Sequence, residues 1–139
     1  MDLKGVINMR KAAVSFLTVF FCIFMFTGCY TGKNLEERIN LSERQRWIDE
    51  VAKDSLVQSE TTKVTMDIEE NNLIFKVYLK KSYSHLQTIQ LQSLLKNHDE
   101  SDRINKLKDA VKKKYGIRPT QVSMTFYGAD GKLVGTIQG

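Results

Sequence analysis

The stretch TKVTMDIEENNLIFKVYLK, residues 62–80, decides the fold. Two runs rich in β-branched and aromatic residues flank Asn71-Asn72, and asparagine tolerates the positive φ that a type I′ turn requires. With those two residues in the loop, Glu70 faces Leu73, Ile68 faces Phe75, Met66 faces Val77 and Val64 faces Leu79. Successive strand residues point to opposite sides, so the apolar members of these pairs share one face, as a half-buried sheet requires. On the other face Asp67 meets Lys76, an opposite-charge cross-strand pair worth roughly 0.2–1 kcal/mol. The stretch therefore predicts a hairpin with one apolar face.

The C-terminal end repeats the device in QVSMTFYGADGKLVGTIQ, residues 121–138. Asp130-Gly131 is a strong hairpin signal. Pairing outward from it sets Gly128 against Leu133, Phe126 against Gly135 and Met124 against Ile137, with Val122 continuing the face. Phe126 can lie over the bare backbone of Gly135, a physical reason for a glycine inside a strand. Tyr127 and Val134 then point the other way.

Between the hairpins two helices are expected. In SDRINKLKDAVKKKYG, residues 101–116, Ser101 is placed to cap, Ile104, Leu107 and Val111 form a stripe, and Gly116 supplies the stop. Residues 83–95, YSHLQTIQLQSLL, spread their apolar positions over a wide arc, yet helix is the better reading. Before the first hairpin, a helix over 42–57 is expected, with Ser42-Glu43-Arg44-Gln45 as a capping box and Leu41 as a staple. Trp47, Ile48, Val51, Ala52 and Leu56 fall near one side of that helix. Trp47 at this spacing reads as core rather than as a ligand-stacking ring. The predicted class is α+β: two hairpins forming an antiparallel four-stranded sheet, one face covered by two or three helices. Whether the hairpins are neighbours is not legible in this pattern.

Upstream the chain changes character. Residues 12–26, AAVSFLTVFFCIFMF, carry no charge and follow Arg10-Lys11. A basic n-region, a short apolar h-region and a small-residue cleavage site make a secretory signal, and the run falls short of the roughly 20 residues of a membrane span. Met9 is the natural first residue of such a signal. The end of the run, Thr27-Gly28-Cys29, resembles the lipobox of bacterial lipoproteins, with Phe26 where that family usually has an aliphatic residue. The resemblance implies that residues 1–28 are removed and that Cys29 is acylated, a membrane anchor of two or three chains. Cys22 would leave with the signal, so the remaining chain would have neither a disulfide nor a cysteine metal ligand. Residues 29–40 are then expected as the acylated cysteine and a flexible stalk, and 41–139 as one small domain.

Removing residues 1–28 takes away Lys4, Arg10, Lys11 and Asp2, which lowers the net charge from +5 to +3. Nucleic-acid binding is not expected of such a remainder. The address implied is extracytoplasmic and lipid-anchored, at the outer membrane if the cell has two, because Tyr30 is not the aspartate of an inner-membrane retention signal. The order of elements, with NNLIFKVYLK and YGADGKLVGTI, also resembles small bacterial lipoproteins whose shared domain has no assigned function. That likeness covers roughly residues 61–138 and implies fold and address, but no activity.

Catalytic signatures are missing: HExxH, CxxC, GxSxG and Gly-rich phosphate loops do not occur. His98-Asp99-Glu100-Ser101-Asp102 invites a metal or acid–base reading, but acidic and hydroxyl residues also satisfy the open N–H groups of a helix start, the preferred reading. Lys112-Lys113-Lys114 reads as a solvated helix end in preference to a site for anionic lipid or acidic glycopolymer. A non-enzymatic domain without cofactor or metal is expected. Its candidate partner surface is the outer sheet face, with Ile74, Tyr78, Tyr127 and Val134 among Thr65, Lys76, Ser123, Thr125 and Thr136. An envelope-protein partner fits an anchored binding or envelope-structural module. Two alternatives are a surface inhibitor, exclusion or immunity lipoprotein, and a metal-dependent enzyme centred on His98–Asp102.

Overall fold

Four strands form where the alternating apolar residues predict them. In the computed structural model, which describes residues 3–23, 32–95 and 98–139, β1 (Thr61–Glu69) and β2 (Asn72–Leu79) make the first hairpin. β3 (Gln121–Tyr127) and β4 (Leu133–Gln138) make the second, and the sheet order is β1-β2-β3-β4. The class is α+β, as expected. The expectation of an all-antiparallel sheet is corrected at its centre: β2 and β3 run parallel, from Asn72 opposite Gln121 to Tyr78 opposite Tyr127. The reason is the connection. Two helices carry the chain from the end of β2 back to the start of β3, the kind of long crossover that a parallel pair needs.

The first hairpin closes two residues away from its expected register. Its turn is Glu70-Asn71, so Glu69 lies opposite Asn72, Ile68 opposite Leu73 and Met66 opposite Phe75. Glu70 takes the positive φ, 56°, and Asn71 is held by neighbours. Its side-chain oxygen accepts from the Leu35 N–H (3.0 Å), and its carbonyl accepts from the Thr120 N–H (2.9 Å). A slip of two leaves every side chain on its original face. Val64, Met66, Ile68, Leu73, Phe75, Val77 and Leu79 are all buried together. Only the cross-strand partners change: Asp67 faces Ile74, and Lys76 faces Thr65.

In the second hairpin Phe126 opposes Gly135 and Met124 opposes Ile137, as expected. A bulge then intervenes, and Tyr127, not Gly128, pairs with Leu133. Gly131 at φ 80° makes the turn, with the Asp130 carboxylate accepting from the Lys132 N–H (3.1 Å).

Helices cover the face that bears Phe75 and Phe126. α1 (Leu3–Ile23) lies in contact with α3 (Leu41–Ala52), α4 (Ser55–Glu60), α5 (His85–Leu95) and α6 (His98–Tyr115). Its Phe16 meets Phe75 edge-on, ring centroids 5.3 Å apart. Among the described residues, no helix is long and apolar enough to cross a membrane.

The segment expected as a stalk differs where the structure describes it. Residues 32–40 contain the short helix α2 (Leu35–Arg38), and Leu35 and Ile39 are fully buried. The Glu36 N–H donates to the Glu70 carbonyl at 2.9 Å, and Arg38 donates to the carbonyls of Gly32 and Tyr115. Polar composition hid two anchoring side chains spaced four apart, one helical turn. The cap of α3 also moves: Asn40, not Ser42, accepts from the Glu43 N–H (2.8 Å), which leaves Leu41 exposed rather than stapled. The predicted helix over 42–57 divides at Lys53-Asp54, where the Asp54 carboxylate caps the Val57 N–H (3.1 Å) and starts α4. Trp47 and Val51 are buried, as their spacing predicts.

α5 is a helix, and Ser84-x-x-Gln87 forms its capping box in both directions, at 3.2 and 2.9 Å. α6 begins at His98, so Ser101 lies within the helix instead of capping it. Ile104, Leu107 and Val111 form the buried stripe, and Gly116 at φ 81° ends the helix.

Candidate functional site

Pairing across the whole sheet arranges the open face in three rows. Lys63, Tyr78, Tyr127 and Leu133 make the first, Thr65, Lys76, Thr125 and Thr136 the second, and Asp67, Ile74, Ser123 and Gln138 the third. The interior members, on β2 and β3, are half-buried, whereas the alternate residues of the same strands are fully buried.

The parallel seam gives the first row its character. Because Tyr78 lies directly opposite Tyr127, their rings stack with centroids 5.4 Å apart and planes inclined by 19°. The Lys63 ammonium stands 5.9 Å from the Tyr78 ring centroid, within reach of its negative π face. At the other end Leu133 is 55% exposed. The row is a flat aromatic platform with a cation at one end and an aliphatic side chain at the other.

Two of the four residues expected in this patch are thus brought together, and two are not. Ile74 stays on the open face, but Lys76 separates it from Tyr78 along β2, and four strand residues span about 13 Å. Val134 is corrected outright: it is 2% exposed and belongs to the core. The bulge between Phe126 and Tyr127 is the cause. It places Val134 and Gly135 in succession on the buried side and puts Leu133 into the row that Val134 was expected to join. Leu133 and Lys63 were missed. The signal that could have found Leu133 is the length of the GADGK loop, residues 128–132, which leaves room for a bulged closure instead of a two-residue turn.

At the β4 end of the row a cleft of about 230 Å3 opens, lined by Tyr83, His85, Thr88, Asp130, Lys132, Leu133 and Val134. It continues the platform with polar groups. Among the described residues no cluster of three or more His, Cys, Asp and Glu side chains is placed to hold a metal ion. The side chains of His98, Asp99 and Glu100 lie outside the described residues, as does Cys29 with the rest of the lipobox. Ser101 and Asp102 are exposed, and Asp102 pairs with Lys106 at 3.5 Å.

The lysine run at the end of α6 is not uniformly solvated. Lys112 and Lys113 are exposed, but Lys114 is buried, its ammonium 5.7 Å from the Trp47 ring and 5.5 Å from that of Tyr115. Burial pulls its pKa below the ordinary lysine value, Arg46 adds to that, and Glu43 opposes it. Lys108 is buried as well, donates to the Thr120 carbonyl at 3.2 Å, and is lowered first by burial and then by Arg118. These two cations hold the helix to its neighbours, leaving only the first two lysines of the run at the surface.

A scan against protein-family models, a search of curated proteins and a search of solved structures each returned no match. The open face and its tyrosine row therefore stand on their own chemistry: stacking area, hydroxyls and a cation.

Proposed function

We propose that the chain is a bacterial lipoprotein, acylated on Cys29 and cut before it, whose extracytoplasmic domain is a non-catalytic module that binds an envelope protein through the outer sheet face. The observation that carries the binding half is the stacked Tyr78–Tyr127 pair on the half-buried side of the sheet, opposite the core. Tyrosine is enriched where proteins meet, because its ring offers rigid apolar area and its hydroxyl keeps a polar contact. Lys63, Lys76 and the surrounding hydroxyls form the polar rim such a contact needs. The anchoring half is supported by Arg10-Lys11, the uncharged run and Thr27-Gly28-Cys29. Acylation at that position would hold the domain within reach of membrane-bound partners.

The test joins both halves. Palmitate labelling and intact mass are measured for wild type and Cys29→Ala, together with crosslinking and mass spectrometry on whole envelopes. Label lost in Cys29→Ala, and a partner lost in the double variant Tyr78→Ser/Tyr127→Ser, are the expected results. A wild-type chain that takes no acyl label sinks the anchor. An unchanged set of crosslinks in the double variant sinks the binding face.

A further inference from the structure

β1 ends the sheet, and a strand at that position has one edge of backbone groups without a ladder partner. The turn fixes which groups these are. A two-residue closure makes Glu69 and Asn72 a hydrogen-bonded pair, and such pairs alternate along an antiparallel ladder. Asp67, Thr65 and Lys63 therefore bond to β2, while Val64, Met66 and Ile68 turn their N–H and C=O groups outward. Their side chains belong to the core, yet Val64 and Met66, each 8% exposed, are its most open members on the sheet. The edge opens into a groove of about 400 Å3. Lys63, Val64, Thr65 and Met66 line it in succession, which alternating side chains can do only along a strand's own edge. The opposite wall is one stripe of α3, with Leu41, Arg44, Gln45 and Ile48 at helical spacing. Leu41 is 77% exposed. α2 meets this edge at its turn end, where the Glu36 N–H donates to the Glu70 carbonyl.

We infer that this edge pairs with the same edge of a second copy of the chain, antiparallel and centred on Met66. The stretch KVTMDIE, residues 63–69, is complementary to its own reverse. Centred on Met66, Lys63 lies opposite the partner's Glu69, Thr65 opposite the partner's Asp67, and Val64 opposite the partner's Ile68. Charged and hydroxyl residues then meet on the open side, and apolar residues meet on the core side. The outward backbone groups of Val64, Met66 and Ile68 meet only one another, as hydrogen-bonded pairs must. Other registers fail. Those centred on Asp67 or Ile68 set carboxylates against one another. Those centred on Val64 or Thr65 run into the irregularity between Thr61 and Lys63. Among the described residues, Lys63, Asp67 and Glu69 make no ion pair within their own chain. The partner's inward side chains enter the groove against Leu41 and Ile48, so the apolar wall of α3 gains a cover. The contact is isologous, and its two-fold axis stands upright on the sheet. Eight strands result, with both tyrosine rows on one side. The pairing does not depend on the lipoprotein reading.

The test uses the full chain in detergent, with association measured by sedimentation equilibrium and contacts by zero-length carbodiimide crosslinking of mixed isotope-labelled and unlabelled copies. Lys63 and Glu69 lie about 20 Å apart along one extended strand, so a zero-length bond between them forms only between copies. A Lys63–Glu69 crosslink that joins a labelled to an unlabelled peptide is expected. Lys63→Glu or Glu69→Lys alone should weaken the dimer about tenfold, since each reversal sets two like-charge pairs across the axis. The two single variants should pair with each other when mixed, and Lys63→Glu/Glu69→Lys should restore wild-type association. Both side chains are exposed, so these reversals leave the fold in place. A chain that stays monomeric overturns the inference, and so does a dimer indifferent to the charge reversals. A dimer lost in Tyr78→Ser/Tyr127→Ser while the charge reversals stay silent overturns it too, by moving the contact to the open face.

Discussion

The two faces of the sheet are built from alternate residues of the same strands, yet they have opposite roles. On β2 and β3 the inward set is Leu73, Phe75, Val77, Val122, Met124 and Phe126, each 3% exposed or less. The outward set is Ile74, Lys76, Tyr78, Ser123, Thr125 and Tyr127, each half-buried. The inward side chains carry the energy of folding. The outward ones are held in fixed rows by the same backbone, so a recognition surface comes with little stability at stake. The contrast can be broken at either face.

The largest effect is expected inside. Phe75→Ala should cost about 3–5 kcal/mol in denaturant unfolding, the loss of a buried ring plus the cavity it leaves. An equal loss from Tyr78→Ser would mean that the outer face is covered too. Neighbours in sequence give the next contrast. Val134→Asp buries a charge and should cost about 3 kcal/mol or more, whereas Leu133→Asp should stay within about 0.5 kcal/mol. The reverse ranking would place Val134 back in the outer row.

Smaller effects probe what holds the rows in place. A double-mutant cycle on Tyr78 and Tyr127 should give a coupling of about 0.5–1.5 kcal/mol, the value of a stacked pair beyond its buried area. At the turns the signs should oppose one another. Gly131→Ala forces a Cβ into a left-handed residue and should cost about 1 kcal/mol, while Glu70→Gly relieves the same strain and should stabilise by a similar or smaller amount.

The smallest expected effect is a pH dependence. Lys114 has a folded pKa below its unfolded value, so between the two the unfolded chain binds more protons, and stability rises with pH. The penalty is complete below the folded pKa and disappears above the unfolded value of 10.5. Lys114→Met should therefore gain on wild type near neutral pH, in urea titrations, and lose that gain as pH climbs through this window. A constant difference across the range would remove burial as the cause.

Much of this was legible in the strands and little of it in their surroundings. Alternation from Val64 to Leu79 predicted the right buried face even though the turn sits elsewhere, because a slip of two residues preserves parity. The turn itself was not legible, since Leu35 and Thr120, remote in sequence, hold Asn71 in place. The parallel seam was hidden for a similar reason: each hairpin looks the same locally whichever way its neighbour runs. Tyr78 and Tyr127 were named from the sequence on period alone. Val134 was misplaced because a bulge shifts the period by one residue, and no side chain announces it. Residues 32–40 were misread since composition speaks of polarity and says nothing of two aliphatic anchors on one helical turn.

The parallel seam also sets a clock. Each hairpin closes over a handful of residues, an event on a timescale of about 1–10 μs. The seam joins residues roughly fifty positions apart, across α5 and α6, and a loop of that length must close before any of its contacts form. The expected order is two early halves and one late join, to be checked by φ-values on β1–β2 and β3–β4 against the seam. Tyr78 and Tyr127 stand on opposite banks of that join, so any optical coupling of their stacked rings should appear only with the last step.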